Sequence, residues 1–283
     1  MKKIFYLSIL ISALAIACTS VPLSNRKQFI LVGDDELNAM ALTSYKSFLD
    51  TNKVVPISNS NTVMAKRVGD RIAKAAQQYF TDNKNPDYLK GFAFETNVVE
   101  SKEVNAWCMP GGKMVVYTGI LPITQTETGL AVVMGHEISH AIAKHGAERM
   151  SNGLLAQGLL AAGQIGLGVA LAKDKPQTQA LWNQVYGLGA PIGAQLGLLA
   201  NGRKQESEAD HLGLLFMAMA GYNPEEAVPF WKRMSDLSGS AKPPVLLSTH
   251  PTDSKRIADI SALMPEAMKY YNISTASKAA KKY

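Results

Sequence analysis

The stretch His136-Glu137-Ile138-Ser139-His140 decides how this chain is read. It matches the pattern H-E-x-x-H. On a helix, two histidines four residues apart project from one face, so both imidazoles can converge on one Zn²⁺. Glu137 lies about a third of a turn away, within reach of a water at that metal. Leu130, Val133, Met134, Ile138 and Ile142 make this helix apolar and therefore buried, and a buried histidine pair needs partners.

Catalytic zinc takes three protein ligands and leaves one position open. A third donor is offered by Glu206-Ser207-Glu208-Ala209-Asp210, which runs directly into the apolar Leu212, Leu214, Leu215 and Phe216. On a helix Glu206 and Asp210 share a face, whereas Glu208 points away. One carboxylate of the sharing pair can bind zinc while the other orients a ligand histidine through its free N–H. Glu206 is assigned as the ligand and Asp210 as the orienting group. His145 falls one residue short of the metzincin spacing and lacks the glycine that motif requires, so it is read as a structural or surface histidine.

The rest of the chain is consistent with one globular domain. Of its 283 residues, 47% are hydrophobic and 18% charged, enough to build a core and too few charges for a disordered chain. No Pro/Gly/Ser-rich linker divides it, and the composition excludes collagen, coiled coil and a polytopic membrane bundle. The net charge of +6 includes Lys2 and Lys3, the other basic residues are scattered, and Lys278, Lys281 and Lys282 form a solvated tail. No nucleic-acid partner is expected.

Asp34-Asp35-Glu36 opens a helix expected to reach Asp50, and Met64, Val68, Ile72 and Ala76 mark a second over 61–80. Between Tyr88 and Thr118 the pattern changes to short strands, with Pro110-Gly111-Gly112 before Met114-Val115-Val116-Tyr117. From Glu127 the chain is helical. Residues 153–172 and 186–200 are weakly polar and read as buried or lid-forming helices, the first also being long enough to touch a bilayer. A helix over 206–220 ends at Gly221, Asn223-Pro224 starts the next, and a last one follows Pro251.

At the N-terminus, Lys2-Lys3, an apolar run over 4–17 and Ala15-Ile16-Ala17-Cys18 have the layout of an export signal ending in a bacterial lipobox. This predicts a lipid on Cys18 that anchors the protein to a membrane, and Thr19 rather than Asp favours outer-membrane sorting. Cys108 is then left without a partner, and no intramolecular disulfide is expected.

H-E-x-x-H, then Glu206-x-x-x-Asp210, then Ala220-Gly221-Tyr222-Asn223-Pro224 and Thr249-His250-Pro251 with Arg256, together resemble the HtpX and CAAX-prenyl-protease metallopeptidases. The likeness covers about Asp34 to Met264, and is nearest to the short periplasmic lipoprotein branch typified by BepA and LoiP. It implies an α+β fold: a predominantly helical, gluzincin-like zincin with a small antiparallel sheet beside the active-site helix. The corresponding divisions are a signal peptide over 1–17, a lipidated tether over 18–33, the metallopeptidase domain over 34–270 and a basic tail over 271–283. One Zn²⁺ per chain would sit on His136, His140 and Glu206, with Glu137 as general base and Asp210 and Arg256 behind the ligands. Asn105, Ala106, Gly111 and Gly112 would form the strand edge that receives an extended substrate. His250 matches a position that in some relatives can approach the zinc and restrain activity; it reads equally as a turn histidine before Pro251, and with Arg256 it is a candidate to assist the transition state. The paired membrane helices of the HtpX branch and the helical-repeat extension of BepA are not seen in this sequence.

The resemblance thus implies a membrane-anchored zinc endopeptidase in the bacterial cell envelope, at the periplasmic face of the outer membrane. Its substrates would be misfolded or misassembled envelope proteins. Two other classes are a zinc-bound chaperone or assembly factor with little turnover, its cleft covered by the glycine-rich insertion, and a membrane-surface module with a structural metal. Intact Glu137 argues against both, because a structural site needs no base.

Overall fold

The computed structural model describes residues 18–165, 202–237, 239, 244–251 and 254–280. Residues 1–17 and 186–200, most of the side chains of 153–172, and the side chain of Cys18 fall outside what is described, and with them the signal, lid and lipidation readings. No described helix is long and apolar enough to cross a membrane.

The sequence suggests a polar tether over 18–33. Instead β1 (Cys18–Ser20) and β2 (Lys27–Phe29) pair antiparallel, with Thr19 opposite Gln28, and Val21 and Gln28 are buried. The turn between them holds Leu23 and Asn25 at positive φ and closes through Val21 N–H donating to Arg26 O. Helix α1 (Asp34–Thr51) starts on the three acidic residues and buries Leu37, Ala41 and Tyr45. Helix α2 (Ser60–Asp82) is capped by the Asn59 side chain and buries Val68, Ile72, Ala76 and Phe80 along the expected stripe.

Strands β3 (Glu95–Val99), β4 (Ala106–Met109) and β5 (Lys113–Tyr117) form one sheet with β5 in the centre. β4 and β5 are an antiparallel hairpin with Cys108 opposite Met114, as expected. β3 joins parallel, Asn97 opposite Val115, so the sheet is mixed. The parallel pair arises because the chain leaving β3 passes the position of β5 and enters the hairpin through its outer strand. Val55 N–H donates to Val98 O across the far edge of β3, whereas the outer edge of β4 has no strand partner among the described residues.

Helix α3 (Glu127–Ile142) carries H-E-x-x-H, and Thr126 caps it by accepting from Gly129 N–H. It is buried along the whole stretch from Gly129 to Ile142. Helices α4 (His145–Ile165) and α5 (Gly202–Met219) follow. α5 ends as expected at Gly221, whose φ of 82° lets Tyr222 N–H reach back to Met217 O. Helices α6 (Ala227–Asp236), α7 (Val245–Thr249) and α8 (Ser254–Ala280) complete the chain. α8 runs unbroken through residue 270, where the sequence suggests a boundary between domain and tail.

The core gathers Leu130, Met134 and Ile138 of α3, Leu215 and Phe216 of α5, and Trp231 of α6. Each large apolar side chain buried there contributes about 1.5–3 kcal/mol. The feature that positions the site is the crossing of α3 and α5. A Cβ on Gly135 would lie 3.0 Å from Gly213 O, and one on Gly213 would lie 2.9 Å from His136 N. Backbone therefore meets backbone, and the acidic end of α5 is brought against the histidine face of α3.

Candidate metal centre

At this crossing the donor atoms of His136, His140, Glu206 and His250 all lie within 4.8 Å of one another. His136 Nε2 and His140 Nε2 are 3.1 Å apart, and the Glu206 carboxylate lies 3.3 Å from each. His250 enters from the C-terminal end of α7, its Nδ1 2.8 Å from Glu206 Oε2 and 3.2 Å from His136 Nε2. α7 itself is held by Leu246 N–H donating to Val104 O, just ahead of β4.

The other side of each imidazole is also engaged. His136 Nδ1 lies 3.0 Å from Asp210 Oδ1, and a carboxylate only accepts, so Nδ1 carries a proton toward Asp210 and Nε2 is the nitrogen that faces the cluster. Asp210 is held by Arg256, whose Nε and Nη2 donate to its two oxygens at 2.8 Å each. The Arg256 guanidinium lies 3.8 Å over the Trp231 ring, and Trp231 packs edge-on against His136. Asp210 and Arg256 thus lie on the side of His136 away from the donor cluster.

The buried acids and histidines hold one another in definite charge states. Burial disfavours a charged His136, but Asp210 and Glu206 outweigh it and raise its pKa to about 9. Burial holds His140 neutral, well below the ordinary histidine range, which suits a ligand. Burial opposes ionisation of Glu206 too, yet His250, His140 and His136 keep it ionised. Glu137 is 4% exposed, burial raises its pKa, and its Oε1 has no hydrogen-bond partner among the described residues. That oxygen faces the converging donors, with His250 Nε2 3.4 Å away, and is placed to reach a water at a metal. The donor set and this orphaned oxygen fit a divalent metal, with His136, His140 and Glu206 to hold it.

Two sequence expectations change. Glu208 does point away from Glu206, but into the protein rather than solvent; it is 6% exposed. His145 is fully buried, with Nδ1 2.8 Å from His140 Nδ1 and Nε2 2.8 Å from Glu208 Oε2. Of the two alternatives for His145 the structure shows the structural one; the partnership with Glu208 is what the sequence did not indicate, although Glu208 directly precedes a buried run. Of the proposed substrate edge, Ala106 opens β4 and Asn105 lies just before it, its carbonyl accepting from Tyr117 N–H. Gly111 and Gly112 lie in the turn joining β4 to β5, so they end the edge rather than form it. Cys108 is free and buried.

The family model that matches the chain is Peptidase family M48, over residues 66–264, the segment that contains every ligand candidate. The chain belongs to peptidase family M48. As an M48 peptidase it has a metal-dependent family's fold and donor set. It is 32% identical over 252 residues to the mitochondrial metalloendopeptidase OMA1 of Schizosaccharomyces pombe, covering 87% of this chain and 66% of that protein. To human OMA1, also mitochondrial, it is 27% identical over 260 residues, 88% of this chain and 46% of the relative. To the beta-barrel assembly-enhancing protease of Escherichia coli it is 29% identical over 167 residues, 59% of this chain and 33% of the relative.

These relatives correct one expectation. The N-terminal pattern points to a bacterial envelope, yet the relatives matched over the longest stretches are mitochondrial, and the envelope location is withdrawn. A cationic start followed by an apolar run is an address read by a receptor, not a property of the folded domain, and it weighs less than likeness across the domain.

Proposed function

We propose that this M48 peptidase is a zinc endopeptidase: it holds one Zn²⁺ per chain on His136, His140 and Glu206 and hydrolyses peptide bonds in extended polypeptides. The observation that carries the reading is the convergence of the His136, His140 and Glu206 donors, with His250 beside them, next to the buried Glu137 Oε1, which makes no hydrogen bond among the described residues. Zinc bound there would lower the pKa of a water toward about 7 and polarise a carbonyl. Glu137 takes the proton of the attacking water at Oε1 and returns it to the leaving amine; its raised pKa suits both halves of that transfer. Asp210 and the Arg256 beneath it keep His136 in one tautomer throughout. The outer edge of β4, starting at Ala106 and without a strand partner among the described residues, can accept a substrate segment as an added strand and align it with α3.

The test uses zinc-loaded protein and an unfolded protein substrate. Glu137→Gln should keep fold and metal while cleavage falls by about 10²- to 10⁴-fold. A second reading, a chaperone with little turnover, is favoured by one observation: the His250 ring stands between Glu206 and Glu137, with Nε2 3.4 Å from Glu137 Oε1. If His250 restrains the centre, His250→Ala cleaves faster than wild type; if it assists the transition state, slower. Zinc-loaded wild type and His250→Ala both failing to cleave would decide for the chaperone.

A further inference from the structure

Behind His140 a chain of hydrogen bonds leads out of the metal centre to the N-terminal hairpin. His140 Nδ1 meets His145 Nδ1 at 2.8 Å, and His145 Nε2 meets Glu208 Oε2 at 2.8 Å. Glu208 also accepts from Arg26 Nε at 2.8 Å and from the Ser24 hydroxyl. Arg26 is fixed a second time, because its Nη1 and Nη2 donate to the two oxygens of Glu148 on α4, at 2.8 Å each.

We propose that Arg26 is a positioning residue for the metal centre, acting through Glu208 and His145 to fix the ring orientation and tautomer of His140. This rests on the reading of His140 as a zinc ligand. The direction of the relay follows from its outer end. Glu208 accepts on both oxygens, so His145 Nε2 carries a proton toward it. The 2.8 Å contact between the two Nδ1 atoms takes one proton, and with His140 meeting the metal through Nε2 that proton lies on His140 Nδ1, leaving the Nε2 lone pair toward Glu206 and His136. His136 reaches the same tautomer by a single step to Asp210. His140 reaches it by three, and the last link is carried on residues 24–26, far from the zinc motifs in sequence.

Removing Arg26 frees the Glu208 carboxylate to turn and the His145 ring with it, so the expected effect is on metal binding rather than on folding alone. Partners of this kind change metal affinity by about 10- to 100-fold. The full chain, ¹⁵N-labelled at histidine, should show His145 protonated on Nε2 and His140 on Nδ1. In Arg26→Ala the His145 signals should become a mixture, and zinc, measured by competition with a chelator, should bind about 10-fold more weakly. Arg26→Lys should restore part of that loss. Ser151→Ala cuts another bond close to the hairpin, from Leu31 N–H to Ser151 Oγ, without touching the relay, and should leave zinc affinity unchanged. If Arg26→Ala does not fold, Arg26→Gln takes its place. The proposal is overturned if the folded Arg26 variant keeps wild-type zinc affinity, if His145 carries its proton on Nδ1, or if Ser151→Ala weakens zinc equally. Wild type that takes up no zinc would instead overturn the ligand assignment.

Discussion

The backbone nitrogen of His136 lies 2.9 Å from the point where a side chain on Gly213 would begin. Helix propensity alone would make Gly213→Ala stabilising by about 1 kcal/mol. Here the added carbon meets backbone that cannot swing aside, so the expected net effect is destabilisation of about 1–3 kcal/mol, together with weaker metal binding as α5 is pushed off α3. Thermal unfolding and zinc content check it; a more stable variant with full zinc would contradict the reading of the crossing.

Metal removal should destabilise the folded chain. Zinc in thousandfold excess over its dissociation constant adds about 4 kcal/mol. The difference in unfolding midpoint between zinc-loaded and chelated protein should be large in wild type and should vanish in His136→Ala and Glu206→Ala. A midpoint indifferent to chelator in wild type would show that the folded chain binds no metal, and a difference that persists in both variants would place the metal elsewhere.

Asp210 separates two roles that one carboxylate serves. Asp210→Asn retains an oxygen to accept from His136 Nδ1 but gives up the charge that faces Arg256, whose side chain is 8% exposed. Asp210→Ala gives up both, and removing one member of a buried pair costs about 3–5 kcal/mol. Chemical denaturation should rank wild type above Asp210→Asn and that above Asp210→Ala, with zinc affinity falling furthest in the alanine variant. Equal stabilities for all three would show that Arg256 does not depend on this carboxylate.

Glu127, at the start of α3, receives Arg67 through Nε and Nη2 and the Tyr222 hydroxyl at 2.7 Å. Arg67 in first place, against the burial that opposes it, lowers its pKa below the ordinary 4.5. The unfolded chain therefore binds this proton more tightly than the folded one, so the stabilisation is complete above pH 4.5 and is lost as pH falls through the lowered value. Wild type should be more stable than Glu127→Gln at pH 7, and the gap should close in acid. A gap independent of pH would assign the effect to packing instead.

What the sequence discloses is largely local. The spacing of His136 and His140 places both on one face, Glu206 and Asp210 share another, and Gly221 with Asn223-Pro224 marks the end of α5; each is a matter of residues within one helical turn. Nothing local says that Gly135 and Gly213 touch, because a glycine inside a helix reads as a weakness until a partner helix is known. The parallel pairing of β3 with β5 is equally hidden, since alternation shows that a segment is a strand and not which neighbour it takes. His145 and Glu208 were discounted on spacing and helical phase. Both are buried where a third element, the hairpin carrying Arg26, covers the side of α4 and α5 that each of those helices alone would expose.

The joining of Arg26 to Glu208, 182 positions apart in the chain, also bears on how the molecule matures. Contacts of such separation close late in folding, because the loop entropy must be met before they return anything. The helix bearing H-E-x-x-H can pack against α2 and the sheet while the rest of the chain is still being made, yet Glu206, His250 and the hairpin can converge on it only once the C-terminal half is in place. The chain would therefore remain a harmless scaffold through most of its synthesis and gain the ability to cut polypeptides only as its final contacts form.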